Sequence, residues 1–550
     1  MTLSCVGVLV MVLSAADNAP ARGPLSVCPE NPRYFTDGTG RAIYLTGSHT
    51  WNNLRDMGPT DPPPAFDYEA YLDTLVRLNH NFIRLWTWDL TRYEYKGDSG
   101  PRYAAPFPWP RIGPGEALDG KPRFDLSKLD QSYFDRLRAR VVAAGERGIY
   151  VSVMLFEGHG VQHSLAPWRW DGHPFNVANN INGVNGDPDG DGKGIEVCTL
   201  AVPEVTRAQE AYVTRVLETL NDLDNVLYEI ANEAGPHSTD WQYHMVRFIH
   251  EYESGKPKQH PVGMTFQYQG GSNETLFGSP AEWVSPNPDG GWRDDPPPGD
   301  GRKVVLSDTD HLWGIGGNQA WVWKSFLSGL NPIFMDPYLE IGLFTPAHPQ
   351  GALDPKWDPV RRSMGYTRRF AERMDLVRMA PAPDMASTGY CLANPGREYL
   401  VYLPKGGEAT VDLSAAAGPL AVEWFDPTRG ATIRAPQATA GARTALTAPF
   451  EGDAVLYVRA VRGEEAAVAP EALTFVTPSA IPDDFRLSVS PKGRYLVDQR
   501  GEPFFWLGDT GWALFSTLTV EEAEKYLENR RQKGFNVVQC IIAHLSLIHI

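Results

Sequence analysis

Residues 30–378 alternate between short apolar runs and longer segments in which apolar residues recur every three or four positions. The first pattern predicts buried strands and the second predicts amphipathic helices. About eight strand–helix units follow one another, which favours an α/β fold, a (β/α)8 TIM barrel, over an open doubly wound sheet. The predicted strands are Ala42–Ser48, Phe82–Trp88, Ile149–Phe156, Val226–Ala231, Pro261–Gln267, Glu282–Ser285, Lys303–Ser307 and Pro332–Met335. The predicted helices are Tyr68–Leu78, Leu129–Arg147, Glu204–Leu220, Asp240–Tyr252, Gln319–Leu327 and Val360–Val377.

A second domain is predicted over residues 379–461, where helical spacing gives way to short alternating strands. Pro381-Ala382-Pro383 marks the change, and turn sequences such as Asp426-Pro427-Thr428-Arg429-Gly430 separate the strands. This pattern is typical of a small all-β antiparallel sandwich. Residues 462–483 are rich in Ala, Glu and Pro, which predicts a linker. The predicted strands are Glu398–Leu403, Ala409–Leu413, Leu420–Phe425 and Ala454–Val458.

The tail, residues 484–550, repeats the beginning of the barrel. Arg494-Tyr495-Leu496-Val497-Asp498 mirrors Arg33-Tyr34-Phe35-Thr36-Asp37, and Phe535-Asn536-Val537-Val538 mirrors His80-Asn81-Phe82-Ile83. The repeat predicts the truncated start of a second barrel. Two barrel strands cannot bury their faces alone, so we expect a poorly packed or disordered tail and an incomplete reading frame. Leu545–Ile550 resembles read-through of a sequencing adapter.

The first residues of the chain predict export. Cys5–Ala16 is a short apolar run that ends in the small residues Ser14-Ala15-Ala16, so residues 1–16 are predicted to be a signal peptide of a secreted or periplasmic protein. No other run approaches the roughly 20 apolar residues that span a bilayer, so we expect no membrane span.

The charge balance narrows the choice of partners. The chain carries 67 acidic and 50 basic residues, a formal net charge of −17, which disfavours nucleic acid and anionic membrane surfaces. Cys28, Cys198 and Cys391 lie far apart and form no CxxC pattern, so neither a disulfide framework nor a thiolate metal site is indicated. The sequence gives no indication of the oligomeric state.

Carboxylates close two of the predicted strands. Asn232-Glu233 ends the fourth strand, and Asp308 and Asp310 end the seventh on what alternation predicts to be one face. Catalytic groups of (β/α)8 barrels collect at these strand ends. A pair of carboxyl groups there can cleave a glycosidic bond, one as general acid and one as nucleophile or base. We predict Glu233 as the acid and Asp308, or else Asp310, as the nucleophile or base, and prefer Asp308 because it is the first position to reach the barrel mouth.

The alternative for these carboxylates is structural: a surface Asn-Glu pair, or an Asp pair in a turn, that caps a helix.

Further polar and aromatic residues follow the other strands. Taken singly each is more often structural, but together they predict a polar, aromatic-rich cup that binds a sugar by stacking and hydrogen bonding. Arg84 is expected to orient the nucleophile and lower its pKa by charge pairing. No cofactor is required for this chemistry. The predicted substrate-binding residues are His49, Trp51, Arg84, Trp86, Trp88, Glu157, His159, Asn232, His311, Trp313 and Asp336, with Gln267 and Gln269 as further members of the cup.

Residues 185–196 match the twelve-residue calcium loop pattern. Oxygen-bearing side chains stand at the first, third and fifth places, glycine at the sixth and glutamate at the twelfth. Convincing helices do not flank the segment, so it is not an EF-hand pair. The alternatives are one structural calcium ion bracing a long loop and a glycine-rich acidic surface turn. The predicted ligands are Asn185, Asp187, Asp189, Asp191 and Glu196.

Motifs of other enzyme classes fail. No GxGxxG follows a strand, which removes the usual dinucleotide-binding interpretation. His250-Glu251 begins like the zinc-protease motif HExxH, but Ser254 stands where the second histidine belongs. Without that motif or a GxSxG elbow, a protease is disfavoured.

The barrel and the β-domain together resemble a known group. The segments that carry the resemblance are Arg33–Asp37, Gly47…Trp51, Tyr228–Glu233, Tyr399–Tyr402, Val422–Pro427 and Pro449–Leu456. Residues 30–460 resemble clan-A-like glycoside hydrolases, most of all the apiosidase-like group with a DUF4038-type barrel followed by a β-domain labelled as collagen-binding. The tail resembles the opening of that barrel even more closely. The label is a family name and is not evidence of collagen binding.

The resemblance implies Glu233 as acid/base and a seventh-strand carboxylate as nucleophile. Clan-A enzymes carry Glu at the seventh strand, whereas this chain carries Asp308 and Asp310. The shorter side chain changes the carboxyl separation, which leaves the stereochemical outcome open.

These observations favour a secreted glycoside hydrolase that acts on a polysaccharide or oligosaccharide. In this hypothesis Glu233 has a raised pKa, caused by a nearby carboxylate and partial burial. The alternative is a carbohydrate- or matrix-binding protein whose barrel has no catalytic activity.

Overall fold

The computed structural model describes residues 19–96, 100–163, 168–339 and 353–461, and in the tail 487–490, 494, 496–497, 503–510, 520–533, 535 and 537–539. The predicted signal peptide, the predicted linker and Leu545–Ile550 lie outside these residues.

Eight parallel strands form a near-closed barrel, which confirms the predicted fold class. The order around the barrel is β1-β8-β7-β6-β5-β4-β3-β2, so each strand pairs with its neighbours in sequence. The strands are fully buried because side chains fill one face and helices cover the other. Their bounds are Gly47–His49 (β1), Phe82–Leu85 (β2), Tyr150–Glu157 (β3), Val226–Asn232 (β4), Val262–Thr265 (β5), Trp283–Ser285 (β6), Val304–Asp308 (β7) and Asn331–Met335 (β8).

The seam between β1 and β2 is closed by the side chain of Asn81. Its Oδ1 accepts the Thr46 N–H at 2.9 Å, its Nδ2 donates to the Tyr44 carbonyl at 2.8 Å, and its own N–H donates to the Thr46 carbonyl at 3.0 Å. A Cβ on Gly47 would lie 2.3 Å from the Phe82 carbonyl oxygen, so only glycine fits there. One carboxamide thus takes the place of a strand ladder.

Within the described part of the barrel region, six helices of nine or more residues surround the strands. The α1 helix illustrates why they form: Asp67 caps it by accepting the Ala70 N–H at 3.0 Å, and Tyr71, Leu72 and Leu75 form its buried face. Their bounds are Tyr68–Arg77 (α1), Gln131–Glu146 (α2), Pro203–Leu220 (α3), Thr239–Ser254 (α4), Gln319–Leu327 (α5) and Asp358–Arg373 (α6).

Shorter elements form the loops. Short α-helices are His159–His163, Trp168–Asp171, Asn273–Phe277 and Thr309–Trp313. The 3-10 turns are Ile195–Cys198, Pro236–Ser238, Pro355–Trp357, Leu376–Arg378 and Pro383–Met385. Short strands are Ser26–Val27, Phe35–Thr36, Asp56–Gly58, Arg92–Tyr93, Arg102–Ala105, Arg111–Glu116 and Pro122–Phe124.

Antiparallel sheets follow the barrel, as predicted. Strands β9, β10, β11, β16 and β13 pair in that order, and β12 pairs with β15. The bounds are Ala380–Pro381 (β9), Cys391–Asn394 (β10), Glu398–Leu403 (β11), Glu408–Asp412 (β12), Leu420–Asp426 (β13), Ala431–Ala438 (β14), Arg443–Thr447 (β15) and Ala454–Ala460 (β16).

The β-domain shares a hydrophobic core with two barrel helices. Trp323 of α5 lies with its ring centroid 6.2 Å from Tyr402 and 5.9 Å from Phe425, both of the β-domain. Phe370 of α6 packs 5.5 Å from Phe425. The two domains therefore bury their facing apolar surfaces against each other.

The described tail residues contain a parallel strand pair and a helix. Gly508–Thr510 pairs in parallel with Val537–Gln539, and the helix Val520–Gln532 lies between them in sequence. This is the strand–helix–strand order with which the barrel begins. Phe505 and Trp506 are 77% and 55% exposed. The remaining strands, Ser488–Val489, Leu496–Val497 and Pro503–Phe504, form an antiparallel sheet.

Among the helices of the described ranges, none has both the length and the apolar character needed to cross a bilayer.

Candidate active site

A cleft of about 620 Å³ opens at the carboxyl ends of the barrel strands. Glu233 and Asp310 both line it, so two of the three predicted catalytic carboxyl groups face one space. The lining residues are Trp51, Trp86, Trp88, Glu157, His159, Asn232, Glu233, Phe266, Tyr268, Pro288, Arg293, Asp310, His311, Leu312, Trp313, Gly314 and Ile315.

Glu233 stands in a strained position. Strand β4 ends at Asn232, and the next residue, Glu233, has φ +50°, a left-handed conformation that a non-glycine residue seldom adopts. The residue is only 8% exposed, so it is not a surface helix cap. The turn places its carboxyl group in the cleft lining.

His159 holds the carboxyl group of Glu233 in an ion pair. His159 Nδ1 lies 2.5 Å from Glu233 Oε2. Burial opposes protonation of the imidazole, but Glu233 outweighs it and raises the pKa of His159 to about 9. Burial likewise favours the neutral acid at Glu233, but His159, helped by Arg84, outweighs it and lowers the pKa of Glu233. The expectation of a raised pKa at Glu233 is therefore wrong, because it left out the cationic partner.

Asp308 lies beneath the cleft and does not line it. The residue is fully buried; its Oδ2 lies 2.9 Å from both Arg84 Nη1 and His49 Nε2, and its Oδ1 accepts the Asp310 N–H at 3.0 Å. Burial raises the pKa of Asp308, but His49 and Arg84 outweigh it and bring the pKa well below the ordinary value. Asp308 thus caps the helix Thr309–Trp313, as the structural alternative had it.

Asp310 is the seventh-strand carboxyl group that reaches the cleft. Strand β7 ends at Asp308, and Asp310 belongs to the helix that follows, so the two do not alternate along a strand as predicted. Burial, the Glu233 charge and the Asp308 charge together raise the pKa of Asp310 well above its ordinary value, although Arg84 Nη1 lies 3.2 Å away. The preference for Asp308 over Asp310 therefore does not agree with the geometry.

Arg84 is the central cation beneath the cleft. It donates to Glu229 through Nε at 2.8 Å and Nη2 at 2.5 Å, and to Asn232 Oδ1 at 2.7 Å. Burial lowers its pKa, but the charges of Glu229, Asp308 and Asp310 outweigh it and raise the pKa. Arg84 therefore orients the β4 and β7 strand ends together, while its own side chain stays out of the cleft.

The predicted cup residues fall into three groups. Those that line the cleft are Trp51, Trp86, Trp88, Glu157, His159, Asn232, His311 and Trp313. His49 and Arg84 lie beneath it and hold Asp308. Asp336 lies outside it, because Arg361 of α6 grips both its oxygens at 2.6 and 2.7 Å. Asp336 is thus a structural residue, contrary to the prediction.

His311 contacts Asn232 at the end of β4 and Ser285 at the end of β6. Its Nε2 lies 3.3 Å from Asn232 Oδ1, and its Nδ1 lies 2.7 Å from Ser285 Oγ. Burial and the charge of Arg84 lower the pKa of His311 to about 4, so the ring is neutral at pH 7.

Several residues of the cleft were not predicted from the sequence. Tyr268 lies at the cleft with its ring 4.3 Å from His163, whereas the predicted Gln267 is 2% exposed and donates to Thr239 Oγ1 at 3.0 Å. The predicted strand extended to Gln267, but β5 ends at Thr265. Beyond that point the direction of each side chain is set by the turn and no longer alternates, so Tyr268 lines the cleft and Gln267 does not. A charged Glu229 inside an apolar strand was a usable signal for a buried partner. Phe266 and Arg293 carried no comparable signal.

The residues of the predicted calcium loop lie outside the cleft lining. Asp187, Asp189 and Glu196 come together, and Asn185 Oδ1 accepts the Asp187 N–H at 3.1 Å. Asp191 instead pairs with Lys193.

Three family models match separate parts of the chain. Residues 490–547 match the apiosidase-like catalytic domain, and residues 382–459 match the "Putative collagen-binding domain of a collagenase". Within the barrel, residues 91–269 match a domain of unknown function, DUF6298. The apiosidase-like match therefore lies in the tail, which agrees with the closer resemblance of the tail to that group. No curated protein sequence matches the chain.

Solved structures share the fold. A glycoside hydrolase of family 5 from Bacteroides vulgatus is 14% identical, with 82% of this chain and 95% of that chain covered and a TM-score of 0.52. Another structure, described as a glycoside hydrolase, is 13% identical, with 80% and 97% covered and a TM-score of 0.50. At these identities the likeness concerns the fold, and function is argued from the site.

Proposed function

We propose that the barrel is a glycoside hydrolase that cleaves O-glycosidic bonds in a polysaccharide or oligosaccharide with Glu233 and Asp310 as its two carboxyl groups. The observation that carries the proposal is that these two groups line one cleft, where their surroundings move their pKa values in opposite directions. Glycoside cleavage needs one carboxylic acid and one carboxylate on the two sides of the bond. The family 5 fold of the neighbours and the apiosidase-like tail support the same class.

The charges assign the two roles. The raised pKa of Asp310 favours the neutral acid, which can pass its proton to the leaving oxygen, and Glu233, paired with His159, can attack the anomeric carbon or activate water. This is the reverse of the roles implied by the family resemblance. Arg84 and Asp308 lie beneath the cleft, where their ion pair connects the ends of β4 and β7.

Aromatic rings supply the sugar-binding surface in this proposal. Trp51, Trp86 and Trp88 line one part of the cleft, and Tyr268 and Trp313 line others. Flat apolar faces stack on sugar rings, and the polar side chains between them bind hydroxyl groups. The apolar run Cys5–Ala16 supports secretion, which would bring the enzyme to an extracellular glycan.

The test is hydrolysis of a panel of oligosaccharides and activated aryl glycosides by the Glu233→Gln and Asp310→Asn variants. On natural linkages each variant should lose kcat/KM by about 10²–10⁴-fold. Asp222→Asn is the matched control, since that side chain is 63% exposed in a surface pair with Arg138. It should keep full activity.

The aryl glycosides separate the roles, because a good leaving group departs without a proton. Asp310→Asn should recover turnover on them, whereas Glu233→Gln should not. The opposite pattern would restore Glu233 as the acid. Undiminished hydrolysis by both variants would refute the carboxyl pair. Glycan binding without turnover by the unmodified protein would favour the binding-protein alternative.

A further inference from the structure

We propose that the loop formed by residues 185–196 binds one calcium ion. Asp187, Asp189 and Glu196 each bring a carboxylate oxygen within 4.8 Å of the other two. They occupy the third, fifth and twelfth places of the twelve-residue calcium loop, from which carboxylates reach the ion in proteins that use it. The inference concerns a site apart from the cleft and does not depend on the proposed hydrolysis.

The orphaned oxygens of this cluster point to a missing cation. Asp187 is 9% exposed, and its Oδ1 is buried without a hydrogen-bond partner among the described residues. Oε2 of Glu196 is in the same condition. A buried carboxylate oxygen without a partner is costly, and neighbouring carboxylates also repel one another. A divalent cation between them would satisfy both.

The loop is wound into shape by its own hydrogen bonds. Asp187 Oδ2 accepts the Gly192 N–H at 3.0 Å, which leaves Oδ1 for the ion. Gly190 and Gly194 have φ +71° and +63°, values that favour glycine. A Cβ on Gly194 would lie 2.1 Å from the ring of Trp170, so the loop backbone lies directly on that indole. Little ordering is then needed when the ion binds.

Asp191 does not belong to the ligand set, contrary to the sequence prediction. Its carboxylate is bound to Lys193, and the seventh place of such loops supplies a backbone carbonyl instead. Three carboxylates remain around the ion, with Asn185 at the first place. Oxygen-only ligands in a loop of this length favour calcium over the smaller, more strictly octahedral magnesium.

The ion would brace one wall of the cleft. Ile195, next to Glu196, packs against the aromatic cluster that contains Trp51, Trp86 and Trp88. Val197 carries the connection to the barrel, since its carbonyl accepts from Gln209 of α3 at 2.7 Å. Binding at residues 185–196 therefore stabilises a segment that is continuous with the sugar-binding surface.

The experiment uses the full chain after treatment with a chelator and removal of that chelator. Calcium up to about 10 mM, above the range of extracellular calcium modules, is titrated by calorimetry, and the melting temperature is followed in parallel. Terbium serves as a second probe, because excitation of Trp170 should sensitise its luminescence in this loop. We expect one calcium ion per chain and a higher melting temperature with calcium than with magnesium.

Variants distinguish the site from a generally acidic surface. Glu196→Gln and Asp189→Asn should weaken calcium binding by at least about tenfold, whereas Asp191→Asn should bind as the unmodified protein does. Asp189 is exposed, so its variant keeps the fold if Glu196→Gln does not. No calcium binding, or equal weakening by Asp191→Asn, would overturn the proposal. The test does not measure hydrolysis, so a failure of the calcium proposal can be distinguished from a failure of the proposed function.

Discussion

His159 Nδ1 lies 2.5 Å from Glu233 Oε2, and the two come from the ends of neighbouring strands β3 and β4. The imidazolium lowers the pKa of Glu233, so its removal should raise that pKa. With Glu233 acting as a carboxylate, the acidic limb of kcat/KM in the His159→Gln variant should move to higher pH by about 1–3 units. The measurement is the pH–rate profile of both proteins.

His163→Gln is the control for this profile. The His163 ring stacks on His159 at 4.3 Å, but burial and the His159 charge lower its pKa to about 4, so it carries no charge at neutral pH. Its removal should leave the limb nearly in place. An unmoved limb in His159→Gln would contradict the ion pair.

The raised pKa of Glu157 should make the free energy of unfolding depend on pH. Burial raises the pKa of Glu157 to about 8, with His159 opposing and Asp89 adding to the rise. A carboxyl group whose pKa is raised in the folded state holds its proton more tightly when the protein is folded. Its contribution to the free energy of unfolding is therefore full below about pH 4.3, the pKa in the unfolded state, and falls as the pH rises to about 8. Between pH 5 and 8.5 the unmodified protein should lose on the order of a few kcal/mol of unfolding free energy through this group, and the Glu157→Gln variant should not show that loss.

Urea unfolding at the two pH values measures the effect of Glu157. Glu204→Gln on the exposed start of α3 is the control and should keep the pH dependence of the unmodified protein. If Glu157→Gln lost as much stability between pH 5 and 8.5 as the unmodified protein, the buried neutral acid would be excluded.

Replacing Arg84 should cost much more unfolding free energy than replacing an arginine of an exposed ion pair. Arg84→Met removes the guanidinium that pairs with Glu229 and Asp308, both of which are fully buried. Breaking such a pair costs about 3–5 kcal/mol. Arg138→Met removes a pair whose side chains are 41% and 63% exposed, which is worth at most about 1 kcal/mol. The free energies of unfolding of the two variants measure the contrast, and equal values would show that the buried network is not stabilised by Arg84.

Because Trp323 lies in the hydrophobic core shared by the barrel and the β-domain, we expect the two to unfold together. Trp323→Ala empties a site between α5 and the β-domain and should cost about 3–5 kcal/mol. Ile112→Ala, at a side chain 58% exposed, should change little. Calorimetry should show one transition for residues 30–460 in the unmodified protein. Two separate transitions, with only the second shifted by Trp323→Ala, would mean that the shared core does not couple the domains.

The barrel was predictable because its strands are buried on both faces and its helices keep a regular apolar stripe. The end of α5 at Leu327 and the start of β4 at Val226 agree with the predicted bounds. Both signals are local, so the sequence carries them without knowledge of the partners.

The site was predictable only in part, because its chemistry depends on partners distant in sequence. The choice between Asp308 and Asp310 follows from a helix that begins at Thr309 and turns the second carboxyl group into the cleft. The lowered pKa of Glu233 follows from His159, which lies 74 residues earlier in the chain. Asp336 resembles a cleft residue until Arg361 is placed against it. None of these pairings leaves a periodic pattern.

The carboxamide of Asn81 gives the barrel an unusual dependence on covalent ageing. Hydrolysis of that amide to an acid would replace the donor that faces the Tyr44 carbonyl with an oxygen, and two acceptors would then oppose each other in a dry seam. Elsewhere around the ring, several main-chain groups would have to fail before neighbouring strands part. Here one deamidation event would remove one of three hydrogen bonds and set two acceptors against each other, so the strength of this seam depends in part on the chemical lifetime of one side chain.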